Sequence, residues 1–367
     1  MRFAFIVHPL SPAMLRIFGL RAGLLPLALG SSRRQLSEGL HPSNIRIITE
    51  LPRIVGDAGA ECSGRIVGLP SLPEVLLAHQ EEAVRLMRTA AMQYGVGCEL
   101  VGLGAVCAIV GLRGEALAAG LPKPVTTGNS LTCWASAETV CKLHAALSAR
   151  PGFPERVLIV GFPGTMAEAL CEVLLRRGLP VEAYHPSFPK RLERALLAME
   201  KATGATIARR TDLPEALAEG GLVVGASSLG GELAAMKLRS GTVVVDVAQP
   251  LDTSEAQRRR PGLLVVEGEL VAMPQAAGAQ WRGALTSAYN TVVGQGAHRV
   301  FACLAEPMVL SMEGRRESFS LGKRIDPARV EEIGALATTH GFGVRELYTG
   351  RRRLDEGRLA AFGTTGR

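Results

Sequence analysis

The chain has 367 residues, 47% of them hydrophobic, with a mean hydropathy of +0.20, which supplies cores for two ordinary domains and excludes disorder throughout. A formal charge of +7 favours acidic partners, but the basic residues fall in short groups such as Arg258 to Arg260 without interleaved aromatics, so nucleic acid is not an expected partner. Seven cysteines, at positions 62, 98, 107, 133, 141, 171 and 303, are odd in number and lack CxxC spacing; this excludes a disulfide framework or zinc site and suits thiols in a reducing, cytoplasmic compartment.

Phe3 to Val7 is an apolar run ending at His8-Pro9, as expected of a first buried strand. The following segment imitates a secretion signal, but Arg16 and Arg21 interrupt it and no apolar run approaches a spanning helix. Met14 to Leu29 is therefore either a packed helix showing two arginines or a segment lying on a membrane surface. Leu72 to Tyr94 reads as one long helix, with Pro73 in its first turn and Gly95 as its stop, followed by an apolar segment from Leu100 to Val110. The helical pattern ends near Ala149-Arg150-Pro151-Gly152. Residues 1–150 are read as an N-terminal α/β substrate domain.

Val157 to Val160 reads as a buried parallel strand that breaks into a glycine turn and resumes with helical spacing. In a dinucleotide site Gly161 makes the tight turn, Gly164 admits the pyrophosphate, the amides of Thr165 and Met166 face the phosphates, and Ala167 packs on the strand. Strands follow at Pro180 to Tyr184, Leu222 to Ala226, Thr242 to Val247 and Leu263 to Val266, with helices at Arg191 to Thr203 and Glu232 to Leu238. This alternation predicts a Rossmann-like, doubly wound parallel sheet over 151–280. The tip of its second strand, His185 to Arg191, offers no carboxylate for a ribose hydroxyl, so NADPH is expected over NADH, with Ser187, Lys190 and Arg191 on the 2′-phosphate.

Residues 281–345 form a C-terminal helical segment in this reading, and 346–367 a basic tail. Asp326-Pro327 signals a helix start, Val330, Ile333 and Ala337 make an apolar stripe, and Gly341 ends it. Cys303 lies in HRVFACLAEPMVLSMEG. On a helix, Arg299 four residues back and Glu306 three residues on share its face; the arginine would favour the thiolate, and a protonated Glu306 could act as acid or base. Spacing alone does not choose Cys303 over the other six cysteines.

Four segments, Thr126-Thr127-Gly128-Asn129-Ser130, Gly161 to Ala167, FACLAEPM at 301 to 308, and Phe319-Ser320-Leu321-Gly322 leading to His340-Gly341-Phe342, resemble the cyanobacterial long-chain acyl-[acyl-carrier-protein] reductases. The resemblance implies that Cys303 takes the acyl group from an acyl carrier protein or acyl-CoA thioester and that NADPH reduces it to a fatty aldehyde for a downstream enzyme. It makes Asn129, Ser130 and Thr127 candidates for polar contacts with the nicotinamide or acyl carbonyl, although Thr-Gly-Asn-Ser before a helical stretch is also a helix cap. Ala167 replaces the family's third glycine, and Pro307 is expected to kink the helix beside the nucleophile. A shikimate-type dehydrogenase, acting without covalent capture, and a non-catalytic nucleotide- or carrier-binding protein are the alternative readings.

Overall fold

The computed structural model describes residues 1–9, 42–275, 299–349 and 352–355, with Gly357, Leu359 and Phe362. The expected segments at Met14 to Leu29 and from Trp281 to His298 lie outside the described residues. The chain forms two compact units, residues 1–131 with 271–343 and residues 132–270 with 344–367.

In the first unit five strands, β1 (Arg2–Val7), β2 (Arg46–Val55), β3 (Glu61–Gly68), β4 (Leu100–Leu103) and β5 (Val125–Thr126), lie in the order β2-β3-β1-β4-β5. β1 runs parallel to β3 and β4, β4 parallel to β5, and only β2 is antiparallel, as a hairpin with β3. The continuous apolar run Phe3 to Ile6 is buried along its whole length, as a central parallel strand requires. Ile6, Val67, Val101 and Leu103 share one core cluster with Leu86 and Met87 of the helix Gln80–Thr89.

The long helix expected over 72–94 is interrupted. His79, at φ −125° and ψ 59°, separates Pro73–Ala78 from Gln80–Thr89, and a π turn over Ala90–Tyr94 runs into Gly95. The apolar segment after it is β4 followed by a short 3₁₀ turn, Ala105–Ala108. A Cβ on Gly104 would lie 2.7 Å from the Phe5 ring, and Ala105 turns to φ +50°, so the chain leaves the sheet there.

Helix Ala302–Met312 packs on β1, β3 and β4. The kink expected from Pro307 does not divide it: the helix runs as one element with Pro307 buried inside it. The ring fits against β4, where a Cβ on Gly102 would meet Pro307 Cγ at 2.8 Å. Helix Pro327–Thr339 starts as the sequence indicates, with Asp326 accepting from Ala328 N at 2.9 Å. It ends in a Schellman turn, Phe342 N to Ala337 O and Gly341 N to Thr338 O, with Gly341 at φ +86°.

The second unit holds six parallel strands, β6 (Val157–Val160), β7 (Val181–Tyr184), β8 (Ala208–Arg210), β9 (Leu222–Gly225), β10 (Val243–Asp246) and β11 (Leu264–Glu267), in the order β11-β10-β9-β6-β7-β8. The chain winds outward from β6 to one edge and returns through β9 to the other, which is the Rossmann-like doubly wound α/β fold expected. β8 escapes sequence reading because Arg209 and Arg210 resemble solvated surface; their charges are met by Glu200 and Glu182. The helix expected at Glu232 to Leu238 is a run of turns. Gln257 Nε2 donates to the carbonyls of Leu233 and Met236, taking acceptors a helix would use.

The glycine turn after β6 is pressed on its own chain. Gly161 has φ +122°, and a Cβ there would lie 2.6 Å from the main-chain carbonyl of Ala226; one on Gly164 would lie 2.7 Å from Gly161 O. Gly204, also left-handed at φ +71°, has nothing within 4 Å of such a Cβ. Gly204→Ala is expected to cost about 1 kcal/mol from backbone strain alone, and Gly161→Ala clearly more. Urea unfolding of both variants measures the difference, and equal losses would show that the turn has room to relax.

Candidate functional site

The first unit brings the sequence-selected residues 127–130, 303 and 306 together. β5 ends at Thr126, the chain turns at Gly128 (φ +75°), and the nineteen-residue helix Asn129–Leu147 begins. Cys303 is the second residue of its helix and presses on that turn: a Cβ on Gly128 would lie 2.6 Å from Cys303 Cβ and nearly as close to its carbonyl. Glycine is therefore required there by close approach of two main chains as well as by φ. Pro307 has no amide hydrogen for that carbonyl, so the carbonyl is left to the Gly128 side.

Glu306, fully buried one turn further on, fastens this contact. Its Oε2 accepts from Leu131 N at 2.7 Å, and its Oε1 accepts from the hydroxyls of Ser320, at 2.8 Å, and Thr126. Leu131 N is among the first amides of the helix, which lack partners within it. The carboxyl thus caps the helix from outside, as an acidic group at a positive helix end. Burial still holds its pKa above the ordinary carboxylate range, against the pull of these hydrogen bonds. Ser130 N donates to Ser320 Oγ at 3.1 Å, the two serine hydroxyls lie 2.7 Å apart, and Thr127 Oγ1 donates to Ser320 O. Ser130 and Thr127 are accordingly framework residues, and Asn129, half-buried at the first helical position, is the group left beside Gly128. Thr126 and Ser320 stand in segments that carry the resemblance but have no role of their own in the sequence; their place in one hydrogen-bonded set supplies one.

Among the seven cysteines only Cys303 and Cys141 are partly exposed. Burial pushes the thiols of Cys62, Cys107 and Cys171 up to about 12 and raises that of Cys98. Within the first unit this leaves Cys303 as the thiol open to a reagent. Arg299 is not on its helix: it belongs to the preceding strand Arg299–Phe301 and is buried, so the shared helical face does not exist.

The expected phosphate-binding residues lie in the second unit. Thr165, Met166 and Ala167 open the helix Thr165–Arg176, with Ala167 buried on the sheet. Ser187, Lys190 and Arg191 are exposed, and His185 Nδ1 accepts from the amides of Ser187 and Phe188, each at 3.1 Å. The glycines of the turn are accounted for by their own main-chain contacts. No helix among the described residues is long and apolar enough to cross a membrane.

No family model matches the chain. Over 366 residues it is 32% identical to aminotransferase PigE of Serratia sp. (strain ATCC 39006), a match that covers 98% of this chain and 41% of that protein. The chain therefore spans about two fifths of the length of this curated relative. Among solved structures, L-tryptophan dehydrogenase from Nostoc punctiforme is similar at 10% identity over 92% of this chain and 88% of that one, with TM-score 0.33. Shikimate 5-dehydrogenase from Thermus thermophilus, in complex with NADP(H) and shikimate, is similar at 16% identity over 92% and 99%, with TM-score 0.28.

The likeness to a protein named for amino-group transfer corrects the functional expectations. It overturns membership of the acyl-carrier-protein reductases, the aldehyde-forming oxidoreductase activity inferred from it, and NADPH as the cofactor; the dehydrogenase alternative gains no support. Glycine turns accommodate close main-chain approach with or without a nucleotide, which is how the signal misled.

An aminotransferase name suggests pyridoxal phosphate, which needs a lysine amine enclosed beside the cofactor. The chain has six lysines. Lys142, Lys190, Lys201, Lys237 and Lys323 are exposed, and Lys123 donates to the carbonyls of Ala91 and Gly95, at 3.3 and 2.8 Å. These residues do not fit that cofactor.

Glu306 sets a pH dependence. Its raised pKa means that the folded chain keeps a proton that the unfolded chain has released once the pH exceeds the ordinary carboxylate range. Its contribution to stability is greatest below that range and declines as the pH rises to the raised value. Glu306→Gln, neutral throughout, is expected to lose less stability than wild type from that range to neutrality. Urea unfolding at several pH values tests this; parallel profiles would mean that Glu306 ionises normally in the fold.

Proposed function

We propose that the chain serves amino-group transfer by holding the carbonyl compound that receives the amino group, with Cys303 as its reversible covalent handle. The single observation that carries this reading is the seat of Cys303: a partly exposed cysteine whose main chain and Cβ press on Gly128 at the start of a nineteen-residue helix. Likeness to a protein named as an aminotransferase supplies the reaction context.

A helix N-terminus favours negative charge nearby, so it stabilises both a thiolate and the oxyanion that forms when sulfur adds to a carbonyl. In that addition the Cys303 sulfur bonds to the carbonyl carbon, the π pair moves to oxygen, and oxygen takes up the proton the thiol has lost. The product is a hemithioacetal or its ketone counterpart, and no electrons are gained or lost. In this reading Asn129, next to Gly128 in the chain, orients the oxygen. Glu306, Thr126 and Ser320 act as positioning residues that hold the Cys303 helix on the turn. A charge of +7 suits delivery of the compound on an acidic acyl carrier protein or on coenzyme A.

Carbon NMR with an aldehyde labelled at its carbonyl carbon tests the step. Wild type is expected to convert part of the trigonal carbonyl signal into a tetrahedral sulfur-bound one, and Cys303→Ser to lose that conversion by an order of magnitude or more. An undiminished tetrahedral signal in the variant, or none in wild type, would reject Cys303 as the handle.

A further inference from the structure

His8 joins the end of β1 to the turn that follows β4, and its ring is 5% exposed. Val106 N, one of the first amides of the 3₁₀ turn Ala105–Ala108, donates to His8 Nε2 at 3.0 Å. Such amides have no partner within their own turn. An amide donor can face Nε2 only while that nitrogen carries no proton, so the proton of the neutral ring sits on Nδ1, which donates to Pro9 O at 2.9 Å. Both nitrogens are thereby used, and the neutral ring is the form that fits. Protonation of Nε2 would set its N–H against the N–H of Val106 and leave that amide without an acceptor.

The bridge has a definite place in the sheet. In the order β2-β3-β1-β4-β5 the chain leaves β1 toward one edge and β4 toward the other, so His8 and Val106 join the two strand ends that flank the crevice of an open α/β sheet. Gly104 lets those ends approach: a Cβ there would lie 2.9 Å from Val7 Cγ1, and Gly104 N donates to Ile6 O at 2.9 Å. The surroundings offer a charged ring no compensation. Among the described residues, 66–72 and 100–108 contain no charged side chain, and Cys107, their one titratable group, has its thiol pushed up to about 12 by burial. Arg2 of β1 and Arg65 of β3 pair with Glu50, and Glu61 pairs with Arg53. Of the other elements against β1 and the 3₁₀ turn, the π turn holds the Tyr94 phenol, the helix Pro73–Ala78 an exposed Glu74, and the helix Ala302–Met312 Cys303 and Glu306, whose carboxyl is taken up by Thr126, Leu131 and Ser320.

We propose that His8 is an acid-sensitive latch of the first unit: its neutral ring ties together the ends of β1 and β4 at the crevice, and protonation of Nε2 releases the turn after β4. Burial pushes the pKa of the latched ring down to about 4, against the pull of the Pro9 carbonyl, whereas a released ring takes up its proton in the ordinary range, roughly 6.5. The latched form binds fewer protons, so the latch is at full strength above the ordinary range and weakens as the pH falls from there toward about 4. It acts on the first unit whether or not Cys303 handles a carbonyl.

Hydrogen exchange of the Val106 amide in the full chain, read by NMR and corrected for the intrinsic rate at each pH, tests the latch. In wild type its protection is expected to fall by about twentyfold between pH 7 and pH 5. In His8→Gln, whose side-chain oxygen can accept from Val106 N and does not titrate, protection is expected to stay level over that range. Nitrogen shifts of the wild-type His8 ring are a second readout that needs no variant: at pH 7 they are expected to show the proton on Nδ1 and a bare Nε2. Level protection in wild type, an equal fall in His8→Gln, or a ring with its proton on Nε2 at pH 7 would each overturn the latch.

Discussion

The first unit depends on one buried carboxyl. Glu306 ties together three stretches distant in sequence: the end of β5 through Thr126, the helix start through Leu131 N, and the Ser320 loop through its hydroxyl. A buried carboxylate without such partners would be strongly destabilising, whereas one that completes a helix start satisfies its own lone pairs and amides otherwise lacking acceptors. Cys303 precedes Glu306 by one helical turn, so the interaction that satisfies the carboxyl also fixes Cys303 against Gly128. Positioning of the candidate nucleophile and stability of the unit are therefore a single arrangement.

Strain collects around the same place. Ser320 lies at φ +53° and Ala105 at φ +50°, in addition to the left-handed pair Leu112 and Arg113, at roughly 1–2 kcal/mol for each such residue. Ser320 has an evident return, because its oxygens meet Thr127, Ser130 and Glu306. Ala105 follows Gly104, whose missing side chain lets the chain pass the Phe5 ring. Leu112 and Arg113 lack any comparable compensation in their own side chains, which sets them apart from the other left-handed positions.

The fold was largely legible in the sequence because its strands are buried on both faces. Runs such as Val157 to Val160 and Val243 to Val245 cannot be mistaken for surface, and the caps at Asp326 and Gly341 obey local chemistry that needs no tertiary context. What failed depended on contacts far along the chain. β8 requires Glu182 and Glu200 to make its arginines acceptable, and the turns at 232–238 require Gln257. Pro307 was expected to bend its helix because the sequence does not show Gly102 receiving the ring. Cys303 and Glu306 were singled out together, but as partners on one helix face with Arg299; the structure instead joins Glu306 to Thr126, Leu131 and Ser320.

Glycine explains how the cofactor signal misled. At Gly161 and Gly164 the absent Cβ is occupied by Ala226 and by the turn's own carbonyl, so the motif is complete without a ligand. At Gly128 the absent Cβ is occupied by Cys303, a side chain with chemistry of its own. The same conformational freedom serves packing in one unit and seats a cysteine in the other. A glycine pattern therefore specifies a close approach and leaves open what approaches; function has to be argued from the group that arrives. Here that group is a thiol, and the six lysines stand on the surface or on backbone carbonyls. The lysines of this chain do not fit a lysine-held cofactor. On the proposed reading this chain contributes a held, oriented carbonyl.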